Sequence, residues 1–227
     1  RQSRHARDVL RLSAGERVEV FVPAGRRADG CIVSTDGNVE IEIDSVESGA
    51  GRSRSIVIAS AVPKGDRADW LVEKLSELNV TTWIPLRTAR SVVHPEGTSK
   101  YDRWRRIAEE SAKQCGRDGV LRIEPLHTVD DVFSLHADSD YVRMIASLAP
   151  DAVRLSAPAG MAGAVVLVGP EGGWIDAELD RARSAGWVSI SLGRTILRVE
   201  TAAIVAGGLG GGGARAAGGF SPEIGQK

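Results

Sequence analysis

Cysteine is nearly absent from this 227-residue chain. The two present, Cys31 and Cys115, stand far apart, outside any CxxC spacing and without a neighbouring histidine. That excludes a disulfide framework and a thiolate zinc site, and it suits a reducing cytoplasm. The four histidines, His5, His94, His127 and His136, are equally scattered, so no metal is expected. Aromatic residues make up only 4% of the chain. No apolar run approaches the roughly 20 residues that span a bilayer, and Arg1-Gln2-Ser3-Arg4-His5 lacks the apolar core of a signal peptide. No membrane partner is therefore expected. Net charge is also lacking: at −1 the chain carries no global basic signature of nucleic-acid binding.

The charges that are present are unevenly spread. From Arg87 to Arg122 nine basic residues stand against five acidic ones, and from Glu124 to Asp140 five acids follow with no Lys or Arg. Such polarity suits a surface facing phosphates, and it suits a solvated helix face as well.

Two organisations follow one another. Residues 17–22, 30–35 and 38–44 alternate apolar and polar positions with period two, and Asp36-Gly37-Asn38 supplies a hairpin turn. Residues 1–52 thus read as a small β domain, with Ser48 to Ser53 as linker. From 53 to 227 strands alternate with helices, the pattern of a parallel sheet covered on both faces. Strands are expected at 56–62, 82–86, 142–148, 164–168 and 188–192. Helices are expected from Arg67, capped by Asp66 and stopped at Asn79, over 99–115, and from a cap at Asp176 to Gly186. A last helix should begin at Thr201, but Gly207, Gly208 and Gly210 to Gly213 should weaken it, each by about 1 kcal/mol relative to Ala.

Two segments have the composition of ligand loops. Gly169-Pro170-Glu171-Gly172-Gly173 follows an apolar strand and precedes a helix, where open α/β sheets bind ligands. Its glycines allow close backbone approach, or simply a tight turn. It fits neither G-x-G-x-x-G nor a P-loop, and Glu171 would repel a phosphate. The second segment runs Leu192-Gly193-Arg194-Thr195-Ile196-Leu197-Arg198-Val199-Glu200-Thr201-Ala202. There Leu192, Ile196 and Leu197 could wall an apolar slot for a flat adenine, with Arg198 and Glu200 beside it. A surface loop carrying an ion pair would read the same way.

GPEGG followed about twenty residues later by LGRTILRVETA resembles the signature of the bacterial 16S ribosomal RNA uridine-N3 methyltransferases, within the SPOUT superfamily. Three further segments agree in order and spacing: His5 to Leu12, Lys64 to Val80, and Glu110-Ser111-Ala112-Lys113-Gln114-Cys115-Gly116-Arg117. The resemblance implies a parallel-sheet α/β domain with a deep trefoil knot, preceded by a PUA-like β-barrel. Its partners would be S-adenosylmethionine, 16S ribosomal RNA or the small ribosomal subunit, and a second copy of the chain, both copies contributing to the active site. Cofactor contacts would fall to Leu148, Gly169, Glu171, Gly172, Leu192, Gly193, Ile196 and Leu197. Arg198, with Glu200 or Glu171, would carry catalysis, and Arg11, Arg90, Gln114 and Arg117 would hold RNA. Two departures from the family pattern are expected: the family's extreme N-terminal strand would lack a counterpart, and the final helix is unusually rich in glycine. Three other readings compete. A ribose 2′-O-methyltransferase of the same superfamily would show an Asn/Arg motif that is not found near residues 56–78. A C5-methylating enzyme would use Cys115 as nucleophile. A non-catalytic RNA-binding protein would have little use for intact GPEGG and LRVETA segments.

Overall fold

A two-sided parallel sheet forms the body of the molecule, because its central strands are apolar at nearly every position. In β4 (Ser55–Ala61) and β10 (Gly163–Val168) almost every side chain is buried, so both faces must be covered. The structure, a computed structural model, describes residues 12–22, 26–36, 38–47, 54–117, 119–156 and 160–211. Arg11, Gly37 at the expected hairpin turn, and Gly212, Gly213, Gly218 and Gly219 of the tail lie outside them.

The remaining strands of this sheet are β5 (Thr82–Arg87), β6 (Arg122–Ile123), β7 (His127–Thr128), β8 (Val142–Ala146), β9 (Val153–Arg154) and β11 (Val188–Ser191). The sheet has eight strands in the order β6-β5-β4-β10-β8-β11-β9, with β7 also paired to β5, and every pairing is parallel. One face packs Ile56, Ile58 and Val166 against helices α1 (Arg67–Glu77), α2 (Thr98–Cys115) and α5 (Val199–Gly207). The other packs Val57, Ala59, Val165 and Leu167 against α3 (Val129–Leu135) and α4 (Asp176–Ser184). Each fully buried aliphatic side chain here contributes about 1.5–3 kcal/mol. No helix among the described residues is long and apolar enough to cross a membrane.

The amino-terminal region forms a separate antiparallel sheet, β1 (Arg17–Val22), β2 (Arg26–Ser34) and β3 (Glu40–Glu47), in that order. The register slips at Asp29/Gly30, and a Cβ at Gly30 would collide with the Glu42 carbonyl oxygen, so the glycine permits the irregularity. Strands β2 and β3 are longer than the alternation alone suggested.

Several local expectations hold and others need correction. Asn79 closes α1 in the left-handed conformation, at φ 59°. Asp66 does not cap that helix: its own backbone is already helical (φ −70°, ψ −8°) and its side chain makes no capping bond. Asp176 is the first residue of α4 rather than its cap. Glu178 does the capping instead, its Oε2 accepting from the Ile175 N–H at 3.1 Å, since a carboxylate three residues on reaches back to the first free amide. Helix α5 begins at Val199 and runs through Gly207 into a 3₁₀ turn, Gly208–Gly211. Gly207 has a packing reason: a Cβ there would lie 3.0 Å from Val80 Cγ2 and 3.4 Å from Leu75 Cδ2. Helix α3, opened by a reciprocal Thr128–Asp131 capping box, sits where the sequence showed only an acidic stretch.

Candidate cofactor and RNA site

Strand β4 leads into α1 on one face of the sheet, and its neighbour β10 leads into α4 on the other. Their carboxyl ends therefore diverge and leave a crevice, the usual ligand position of an open α/β sheet. Because all strands are parallel, the loops after β4, β5, β8, β10 and β11 emerge at this one edge. They carry Lys64 and Arg67, Arg90, Leu148, the 169–173 glycine loop, and the 192–198 segment, respectively. A cavity of about 240 Å³ lies elsewhere, towards the amino ends of the strands, among Val57, Thr82, Arg122, Glu124, His127 and His136.

The glycine loop is a turn closed by the Gly173 N–H on the Pro170 carbonyl at 2.8 Å, with Gly173 at φ 68°. Only a residue without Cβ takes that backbone without strain. Glu171 and Gly172 sit exposed at its tip. The other glycines answer to the protein's own side chains. A Cβ at Gly169 would come within 2.9 Å of the Trp174 ring, whose Nε1 donates to the Ala146 carbonyl at 2.8 Å. A Cβ at Gly172 would lie 3.3 Å from the Cβ and Cδ of Arg90, whose guanidinium donates to the Gly172 carbonyl at 2.6 Å. Within the chain, a side chain at Gly172 would therefore meet Arg90 first.

Across the crevice, Leu148 is 74% and Ile196 82% exposed, although both are large and apolar. Leu192 and Leu197 are half-buried beside them, packed on the core. The Ser147 N–H donates to the Ile190 carbonyl and the Leu155 N–H to the Ser191 carbonyl, each at 3.0 Å, fixing the start of the β8 loop and the exit of β9 to the end of β11. Arg198 sits at the amino cap of α5 with an exposed side chain that makes no hydrogen bond or ion pair among the described residues. Glu200, two residues on, behaves oppositely. It is buried, and its Oε1 accepts from Arg67 Nη1 at 3.3 Å, joining α5 to the start of α1. Its Oε2 is buried without a partner among the described residues.

The carboxyl edge of the sheet thus carries all the residues expected at the cofactor, together with Arg198, Glu200 and Arg90. Gln114 and Arg117 are not brought there. They lie at the end of α2, beside the end of α1, at the amino edge of the sheet. Gln114 is exposed, whereas Arg117 is buried and its guanidinium donates to the Ser76 carbonyl at 3.0 Å. Elsewhere on the basic segment Arg103 pairs with Asp69 and Arg105 with Asp102, so part of its charge is spent locally.

Residues 51–209 match the family model described as an RNA methyltransferase domain, and residues 1–44 match that of an RNA methyltransferase PUA domain. A ribosomal RNA small subunit methyltransferase E from Bacillus subtilis is 30% identical over 217 residues, covering 89% of this chain and 84% of its own length. The chain belongs to the ribosomal RNA small subunit methyltransferase E family. Among solved structures, the family member from Neisseria gonorrhoeae bound to S-adenosyl methionine superposes with a TM-score of 0.77 at 28% identity, covering 91% of this chain and 86% of that one. A Legionella pneumophila methyltransferase in complex with the bound cofactor SAM gives 0.74 at 26% identity, over 92% and 88%. The parallel-sheet α/β architecture and the family resemblance read from GPEGG and LGRTILRVETA are thereby established for this methyltransferase.

Three residues of the site went unnoticed in the sequence: Trp174, Glu178 and Arg67. Glu178 had a readable signal, since it stands three residues after the N-cap position of a helix. The pairing of Arg67 with Glu200 spans 133 positions and had none.

Proposed function

We propose that this methyltransferase transfers a methyl group from S-adenosylmethionine to N3 of a uridine in 16S ribosomal RNA. The observation that carries the proposal is the meeting, at one sheet edge, of exposed apolar Leu148 and Ile196 with the unengaged arginine Arg198. The donor set fits the cofactor. Leu148, Leu192, Ile196 and Leu197 offer apolar walls to an adenine, and the chain at Gly169, Glu171, Gly172 and Gly193 offers backbone groups to its edge. Bound there, S-adenosylmethionine supplies a methyl group already activated on a sulfonium.

Uridine N3 carries a proton at neutral pH, so the chain's own task is to remove it and stabilise the charge left behind. Arg198 orients the base and faces the negative charge that builds on its carbonyl oxygens. Glu200 is buried against Arg67, so it positions α5 rather than meeting the base. Glu171, exposed at the loop tip, is the carboxylate that takes the proton in this reading. Arg90 serves RNA phosphates from the same edge. Cys115 lies at the end of α2, away from this edge, which speaks against a covalent C5 mechanism.

The reading extends to the assembly. The amino-terminal domain, assigned to residues 1–52, acts as a PUA-like module whose described part is the β1-β2-β3 sheet; with Arg11 it helps hold RNA, and the domain assigned to residues 53–227 is catalytic. Return of α5 across β10 to pack on β4 and α1 supports a trefoil knot in its carboxyl half. Gln114, exposed and remote from Arg198 in one chain, supports a homodimer in which each copy serves the other's RNA, with the buried Arg117 holding the end of α2 beside it. Mass mapping of ribosomal RNA nucleosides from cells lacking the protein tests the function. Loss of one N3-methyluridine from 16S RNA, restored by the gene, is expected; an unchanged map refutes it.

A further inference from the structure

We propose that Glu178 is a positioning residue that holds the cofactor loop from behind; this rests on the cofactor reading above and adds to it a residue that touches no ligand. Its side chain is buried, with only 2% of the residue exposed, and its two carboxylate oxygens serve different parts of the chain. Oε2 accepts from the Ile175 N–H at 3.1 Å, at the end of the glycine loop. Oε1 accepts from the Ala89 N–H at 2.9 Å, in the loop after β5. A helix cap needs only the first of these bonds. The second ties α4 to a segment 89 residues away.

The neighbouring contacts close the arrangement. Arg90, next to Ala89, donates to the Gly172 carbonyl at 2.6 Å and to the Trp174 carbonyl at 3.5 Å. Residues 172–175 are therefore fixed to the β5 loop at both ends, by Arg90 at one and by Glu178 at the other. Trp174, held between them, covers Gly169 and anchors the β8 loop through the Ala146 carbonyl. One buried carboxylate thus sets the relative position of three loops around the crevice. A glutamine in its place keeps the shape but presents an NH₂ to one of the two backbone N–H groups, donor against donor, and one loop is released.

Steady-state methylation and calorimetric cofactor binding test this with Glu178→Gln. Its Kd and KM for S-adenosylmethionine should rise about tenfold, with kcat at saturating cofactor within about twofold of the parent, as expected for one unsatisfied buried group. Val132→Ala, a buried change on the same sheet face, serves as the control for general loss of stability. An unchanged Kd in Glu178→Gln overturns the proposal, as does an equal rise in Val132→Ala at matched thermal stability. Hydrogen exchange on the unaltered protein requires no variant to fold. Saturating S-adenosylmethionine should slow exchange of the Ala89 and Ile175 amides together, and unchanged rates at both would overturn the proposal. Failure of the parent to bind S-adenosylmethionine at all would instead overturn the cofactor reading, and this inference with it.

Discussion

Arg67→Ala should destabilise the protein more than Glu200→Gln does, although the two side chains form one ion pair. The Glu200 side chain is only 5% exposed, that of Arg67 37%, and Nη1 and Oε1 lie 3.3 Å apart. Removing the arginine strands a carboxylate in a site where its second oxygen already lacks a partner among the described residues. Breaking a fully buried pair costs about 3–5 kcal/mol; exposure of the arginine and the favourable amino end of α5 reduce this to about 2 kcal/mol. For a chain of this size that lowers Tm by about 4–8 °C. Glu200→Gln removes the charge but leaves an amide oxygen to accept from Arg67, and should cost about 1 kcal/mol or less. The double variant should recover much of the Arg67→Ala loss. Calorimetric or optical melting of the four proteins gives the coupling directly. Additive shifts would refute the pair as an energetic unit. The same variants separate positioning from proton transfer. Loss of a proton acceptor slows reactions by about 10²–10⁴-fold, so Glu200→Gln falling that far with unchanged Tm would refute its structural assignment.

Gly169→Ala should cost about 1–3 kcal/mol, because its Cβ would lie 2.9 Å from the Trp174 ring; a thermal melt matching the parent would show that the indole yields freely. Arg90→Ala should reduce the salt slope of RNA binding by about 0.7–0.9 and also weaken cofactor binding, through the lost Gly172 contact. Titration in both ligands checks it, and a normal cofactor Kd would remove Arg90 from the loop's support. Burial lowers the pKa of His136 below its ordinary 6.5. The folded state therefore favours the neutral ring, so its contribution to stability is complete above about pH 6.5 and is lost as pH falls through the lowered value. His136→Asn should flatten that part of the stability profile in urea melts, and an unaltered slope would exclude the histidine as its source.

What the sequence made legible was local. Period-two alternation and the apolar runs located β4, β5, β8, β10 and β11 to within a few residues, because each strand buries side chains by a simple rule. The short strands β6, β7 and β9 were missed, since two residues leave no period to read. Helix α3 was missed because its acids, including capping Asp131, masked a seven-residue element. Asp66 and Asp176 had the right chemistry for caps, yet backbone conformation decided against both. At the site, GPEGG and LGRTILRVETA placed the loops correctly, while the reason for two glycines lay in Trp174 and Arg90, contacts that only tertiary packing creates. Arg117 was expected to hold RNA, and its bond to the Ser76 carbonyl was invisible at a distance of 41 positions.

The proposed role of Arg198 is to act on a uridine base held beside the cofactor loops. Single-turnover methylation of 16S ribosomal RNA or small subunits, followed by mass analysis of the nucleosides, tests it most directly. The unaltered protein should yield N3-methyluridine, and Arg198→Ala should retain most RNA affinity while transferring about 10²-fold more slowly. Methyl groups found on ribose, or an Arg198→Ala protein that forms N3-methyluridine at the parental rate, would contradict it.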